Sequence, residues 1–299
     1  ACEFFCGKGR DRMVRRPGKF DKPKSSGIDP PNFLGQHFMH NKKLIQDIVE
    51  QAQIKQHETV LELGAGKGAL TRALAERAGR VIAVEYDARL IDRLRRKTRS
   101  FPNVKIIQDD ILNIKLPGEK FVAVSNIPYA ITTPILKKLL NNPSSGFQRG
   151  LLVMEKGAAK RFTSTFVKDS YVALWRIYFN LRYIRTISRD NFSPPPRVDS
   201  ALLQIDRKEA PAIRPKEGLT FWALADEVLK APRAPIDEAL RGVFTRPQIT
   251  RLRRELGLRP DFAVGFLSEE HWGMIFDAMQ RHVPRGKWPR MKKKRRLSP

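Results

Sequence analysis

Cysteine is almost absent from this 299-residue chain, and its two examples, Cys2 and Cys6, lie at the extreme N-terminus. A disulfide framework is therefore excluded. The five histidines are scattered without ligand spacing, so a zinc site, and a resident metal of any kind, is not expected. Long apolar runs are missing too. No stretch approaches the roughly 18 residues of a membrane-spanning helix, and the chain does not open on a signal-type hydrophobic core. A soluble, cytoplasmic protein is expected. Acidic residues are scarce, 31 against 57 basic, and the resulting net charge of +26 implies a polyanionic partner. Nucleic acid is the first candidate. An anionic membrane is second, and it is weakened by the lack of any apolar span.

Residues 1–31 carry Lys, Arg, Gly, Pro and Ser with almost no apolar periodicity and read as a flexible basic N-terminal arm. Residues 285–299 form a basic C-terminal tail in which Lys292, Lys293, Lys294, Arg295 and Arg296 either hold phosphates or are merely solvated. Between these ends strand and helix patterns alternate. Thr59–Leu63, Arg80–Glu85, Val104–Gln108, Phe121–Val124 and Leu151–Met154 are short runs rich in Val, Ile and Leu. Helical periods separate them at Leu70–Arg77, Ala88–Lys97 and Pro134–Leu140. This predicts an α/β, Rossmann-like parallel sheet covered by helices, with its ligand crevice at the carboxyl ends of the strands. Two further strand-like runs, within Val172–Ile187 and Ser200–Ile205, complete the sheet and allow an antiparallel edge. From about residue 210 proline-separated helices follow, near 217–230, 235–243, 247–256 and 268–281. The expected sheet domain is thus 32–207, followed by a smaller all-helical domain at 208–284.

The first ligand signal is Val60-Leu61-Glu62-Leu63-Gly64-Ala65-Gly66-Lys67-Gly68, a strand feeding a glycine-rich turn. Glycine at 64 and 66 lets a ligand approach the backbone and permits positive φ. The spacing G-x-G-x-G departs from the G-x-G-x-x-G of dinucleotide binders. Glu62, just before the turn, repels a pyrophosphate and favours a cationic ligand. Glu85 ends the next strand, where it can accept from both ribose hydroxyls. Asp110, at the end of the third, can accept from an adenine amino group while Ile111 packs on the ring. Each of these alone has a bland reading as a turn, a strand-end charge or a helix cap. Together, at three successive strand ends, they favour S-adenosylmethionine (SAM) over NAD.

Asn126-Ile127-Pro128-Tyr129 closes the fourth strand at the same edge. An exocyclic amine on a base is a poor nucleophile because its lone pair is delocalised into the ring. The Asn126 side-chain oxygen and the Ile127 carbonyl can take its two N–H hydrogens and favour a pyramidal nitrogen. Pro128 fixes the turn that presents that carbonyl, and Tyr129 offers the base a stacking face worth ~1–3 kcal/mol.

These motifs, with Asn32-Phe33-Leu34-Gly35-Gln36-His37-Phe38 and Phe192-Ser193-Pro194-Pro195-Pro196-Arg197-Val198-Asp199-Ser200, resemble the ribosomal RNA adenine N6-dimethyltransferase superfamily over residues 32–206. Within it, Thr132-Thr133-Pro134-Ile135 and the segment from Met154 to Phe162 look closer to the erythromycin-resistance (Erm) methyltransferases than to the housekeeping small-subunit dimethylases. The resemblance implies methylation of an adenine in 23S rRNA, naked or during assembly, by a monomer, and resistance to macrolide, lincosamide and streptogramin B antibiotics. It places Gln36, His37 and Phe38 beside the cofactor, Gly64 and Gly66 against it, Glu85 on its ribose and Asp110 on its adenine. Asn126 and Tyr129 then bind the target base, with Phe192 flanking it. His37 departs from the asparagine of many relatives.

A base must leave its stack to enter such a pocket, so loop or single-stranded RNA is the expected substrate. Lys156, Lys160 and Arg161, which follow the fifth strand, either hold phosphates near that base or form a solvated basic face. Two other classes compete. A non-catalytic nucleic-acid-binding protein on the same fold would not need the intact cofactor loop and Asn126-Tyr129. A nicotinamide oxidoreductase would need a different loop spacing and a proton donor.

Overall fold

The computed structural model describes residues 36–291. It begins with a two-residue strand β1 (Phe38–Met39) and helix α1 (Lys42–Gln51), capped by Asn41, whose side chain accepts from the Leu44 N–H. Two strand–helix units follow, β2 (Thr59–Leu63) with α2 (Ala69–Ala75) and β3 (Arg80–Glu85) with α3 (Ala88–Thr98), then β4 (Val104–Gln108) and, after a loop, β5 (Phe121–Asn126). Next come α4 (Thr132–Leu140), β6 (Phe147–Glu155), α5 (Lys156–Thr163), α6 (Ser170–Tyr178), β7 (Phe179–Ile187), β8 (Phe192–Ser193) and β9 (Ser200–Arg207). The C-terminal helices are α7 (Gly218–Val228), α8 (Ile236–Ala239), α9 (Arg246–Glu255) and α10 (Glu269–His282).

Seven strands form one sheet in the order β4-β3-β2-β5-β6-β9-β7, with β2 to β6 parallel. The chain order reverses between β2 and β5, which makes their carboxyl ends the crevice where such sheets bind ligands. All five residues of β2 are buried, as expected for a strand covered on both faces. Its alternate side chains feed two cores. Leu61 and Leu63 join Ala123, Ile135 and Leu139 on one face, and Val60 joins Val81, Val122, Ile48 and Leu74 on the other.

Several elements differ from the sequence expectation. The apolar run from Val172 is a helix, α6, before it becomes β7. Nearly all of α6 is buried between the sheet and α7, so it shows no polar face from which a helical period can be read. The antiparallel strand β9 is not at the edge: it lies between β6 and β7, antiparallel to both. The run at 235–243 is a short helix, α8, followed by one tighter turn at Leu240–Gly242. Arg207 does end the last strand. The helices beyond it nevertheless share a core with the sheet: Phe221 on α7 and Leu203 on β9 belong to one cluster, and Phe221 meets Trp272 edge-on at 5.6 Å. At the C-terminus, Trp288 also packs on this core and donates its indole N–H to the Val283 carbonyl at 2.8 Å, so packed structure extends past residue 285.

Candidate active site

The carboxyl ends of β2 and β3 are locked together by the glycine turn. The N–H groups of Gly64 and Ala65 both reach the Val84 carbonyl at 2.9 Å, and Gly64 (φ 83°) and Gly66 (φ 55°) hold the left-handed conformations that favour glycine. Glu85, 5% exposed, accepts from the Gly66 N–H at 2.7 Å through Oε2 and from the Asp87 N–H at 2.9 Å through Oε1. Each carboxylate oxygen keeps a second acceptor site, so holding the turn and accepting from a ligand are compatible. On Gly64, a Cβ would meet the Pro128 ring at 3.4 Å and Ile111 at 3.7 Å. The turn thus sits directly under both the Asn126-Tyr129 loop and the segment after β4. Asp110 there accepts from the Leu112 N–H at 2.8 Å through Oδ1, which is the helix-cap type of contact. Ile111 is buried.

Glu62 lies one residue before the end of β2, 2% exposed, and its Oε2 has no hydrogen-bond partner. Burial pushes this carboxyl up to about 8; the neighbouring Thr71 hydroxyl opposes the shift and the charge of Glu85 adds to it. A second buried acceptor without a partner is Asn126 Oδ1, at the end of β5. An unpaired buried oxygen of this kind costs ~1–3 kcal/mol unless something donates to it. The amide is oriented from its other end, where Nδ2 donates to the His37 carbonyl at 2.8 Å. Behind it, the buried Ser125 hydroxyl accepts from the Leu63 N–H at 2.8 Å and ties β5 to β2. Two unmatched acceptors at adjoining strand ends, beside the glycine turn, fit a cofactor with a positive centre and a substrate that brings N–H donors.

Tyr129 follows in a single tight turn, half-buried, its hydroxyl hydrogen-bonded to the buried Ser200 Oγ. Burial raises its phenol above the ordinary range, so it remains a neutral stacking ring. Ser200 is a functional neighbour that sequence reasoning passed over, although it ends the proline-containing motif. Phe192 is placed differently from the expectation of a ring flanking an open pocket. It is 2% exposed, pairs across the antiparallel β1–β8 bridge with Met39, and packs with Val124 and Val153 in the core. Burying the ring gains more than presenting it.

Gln36, His37 and Phe38 run across this edge. Phe38 covers the turn, its ring atoms 3.0–3.1 Å from where a Gly66 Cβ would stand, and the Lys67 ammonium sits 4.1 Å from the ring centre. Of the three cations after β6, Lys160 is exposed, while Arg161 donates to Thr133 Oγ1 at 2.7 Å. Lys156 is half-buried and faces Asp199 at 3.4 Å, which offsets part of its charge. Lys292, Lys293, Lys294, Arg295 and Arg296 lie outside the described residues, as do residues 1–31. Among the described residues no helix is long and apolar enough to cross a membrane.

The sheet order, with its switch point between β2 and β5, is that of the Rossmann-like methyltransferase fold. Residues 31–281 match the ribosomal RNA adenine dimethylase family, and the chain belongs to it. It is 53% identical over 283 residues to an rRNA adenine N-6-methyltransferase of Bacillus licheniformis, covering 95% of this chain and 99% of the relative. A ribosomal RNA small subunit methyltransferase A from Streptococcus pneumoniae is 32% identical over 264 residues, 83% of this chain and 91% of its own. Among solved structures, the 23S rRNA methyltransferase ErmE superposes with a TM-score of 0.72 at 26% identity, covering 82% of this chain and all of that one.

Proposed function

We propose that this protein methylates N6 of an adenine in 23S rRNA with SAM, acting in the cytoplasm as a monomer on protein-free or assembling RNA. By that modification it protects the ribosome from macrolide, lincosamide and streptogramin B antibiotics. The observation that carries the reading is Asn126 Oδ1: a buried, unpartnered acceptor beside the glycine turn, with its amide nitrogen already held elsewhere.

Glu85 would hold the ribose hydroxyls, Asp110 and Ile111 the adenine, and Glu62 with the Gly64–Gly66 turn the charged end of the cofactor. SAM supplies an electrophilic methyl group. The chain's part is to make the amine a nucleophile. Asn126 Oδ1 and the Ile127 carbonyl accept the two N–H hydrogens, drawing the lone pair out of conjugation, while Tyr129 stacks on the base. Pro128, packed on Gly64, would fix the turn that presents that carbonyl. The product ammonium is acidic and loses its proton to water, so no titrating base is needed. A flanking role for Phe192 requires its ring to be uncovered when the base enters. Lys160, Arg161 and the tail cations Lys292 to Arg296 would hold phosphates around the extruded base.

The test is transfer of labelled methyl from SAM to protein-free 23S rRNA, with small ribosomal subunits assayed in parallel. Label in the 23S RNA is expected. Label in the small subunit alone would assign the housekeeping reaction instead.

A further inference from the structure

The catalytic loop is not held in place by the sheet alone. Residues 37–41 form a strap that touches both the Asn126-Tyr129 loop and the glycine turn. The His37 carbonyl accepts from Asn126 Nδ2 at 2.8 Å, and the His37 ring lies 5.7 Å from the Tyr129 ring, tilted by 42°. Phe38 covers Gly66. The strap in turn is fixed to the segment around β8. Phe38 pairs with Ser193 and Met39 with Phe192; the His40 N–H reaches the Asn191 carbonyl at 3.1 Å, and Asn41 Nδ2 reaches Asn191 Oδ1 at 2.7 Å. One side-chain contact closes this set at the end nearest the chemistry: His37 Nδ1 lies 2.8 Å from the Pro194 carbonyl oxygen. A carbonyl only accepts, so Nδ1 carries the hydrogen.

Among the described residues the backbone ladder stops at Phe38, and without the imidazole His37 would keep its carbonyl bond to Asn126 but no bond of its own to the segment around β8. Yet His37 is the residue whose carbonyl sets which way the Asn126 amide faces. If that carbonyl moves away, Asn126 Nδ2 loses its partner, and the amide can turn its nitrogen toward the substrate amine. Two donors would then face each other where an acceptor is required.

We infer that His37 is a positioning residue: its Nδ1–H···O=C bond to Pro194 latches the N-terminal strap over the site and thereby holds Asn126 Oδ1 toward the target amine. The inference rests on the methyltransferase reading above and adds to it a residue that touches neither reacting atom.

The chemistry of the bond supplies the test. An asparagine side chain places its amide nitrogen where imidazole Nδ1 stands, whereas glutamine reaches toward the Nε2 position. His37→Ala, His37→Gln and His37→Asn are compared for kcat and KM with 23S rRNA, for SAM Kd by calorimetry and for thermal midpoint. In the alanine and glutamine variants kcat is expected to fall about tenfold or more, with the KM for RNA within about threefold of the parent and any change in SAM Kd smaller than the fall in kcat. His37→Asn is expected to recover most of the rate. An asparagine variant as slow as the alanine or glutamine variant overturns the latch, as does an alanine variant with parental kcat. Should His37→Ala not fold, the asparagine and glutamine pair decides alone: unequal rates in the stated order support the latch, and equal rates overturn it. A parent protein that methylates no RNA would instead overturn the functional reading.

Discussion

Buried polar groups are treated in opposite ways in two parts of this molecule. Where α6 packs on α4 and α7, they are matched: Trp175 Nε1 donates to Asn141 Oδ1 at 2.8 Å and Trp222 Nε1 to Ser170 Oγ at 3.1 Å. At the carboxyl ends of β2 and β5, Glu62 Oε2 and Asn126 Oδ1 are buried and meet no donor in hydrogen-bond geometry. Folding alone favours the first arrangement, because each unmatched group lowers stability. The second persists where a ligand completes it. On the proposed reading, the difference separates residues that hold the fold from residues that would meet cofactor or substrate, and substitutions in the two regions should fail in different assays.

The largest effect is expected in the matched region. Trp175 is fully buried and packs edge-on against Phe162 at 5.4 Å, so Trp175→Ala should cost about 3–5 kcal/mol of unfolding free energy in denaturant titrations. Methyl transfer per folded molecule should stay near parental, and a stable but inactive variant would break the contrast. Asn126→Ala should behave in reverse, with the methylation rate lowered ~100-fold or more and SAM affinity and thermal midpoint little changed. An unchanged rate would remove Asn126 from the chemistry.

Glu62 sharpens the comparison through pH. Its carboxyl titrates near 4.5 when unfolded and is pushed up to about 8 when folded, so the folded chain binds the extra proton between these values. Ligand-free stability should therefore fall as pH rises through that window, and Glu62→Gln should flatten the slope of thermal midpoint against pH. A bound cation favours the ionised carboxylate, so SAM binding near neutral pH should release a proton, read as buffer-dependent heat in calorimetry. A glutamine variant with the parental slope would show that the carboxyl is not the group responsible. The smallest expected change is at the surface. Lys160→Gln should lower the slope of log K against log salt for RNA binding by roughly 0.7–0.9, whereas Lys156→Gln, already facing Asp199, should lower it less. Equal changes for the two lysines would mean that the Asp199 contact opens when RNA binds.

Much of the fold was legible along the chain because parallel strands buried on both faces are written as short runs of Val, Ile and Leu, and glycines interrupt them where the turn needs positive φ. The strand at Thr59–Leu63 and the helix of α3 follow from local pattern alone. The same logic misplaced the start of β7, since a helix buried on all sides carries no polar stripe. It was blind to β1 and β8, two residues each, whose pairing joins segments separated by about 150 residues of sequence and has no local signature.

Local chain chemistry, then, specified the residue types at the strand ends: a carboxylate before the glycine turn, an amide and an aromatic ring after β5, and a large excess of cations to meet a polyanion. Only the folded chain decided which of their atoms are available. Whether Glu85 already holds a backbone N–H, whether Phe192 is open or covered, and which way the Asn126 amide points depend on hydrogen bonds and packing between residues remote in sequence. Periodicity reports the burial of a segment; it carries no record of the partner that a particular oxygen finds once the chain has closed around it.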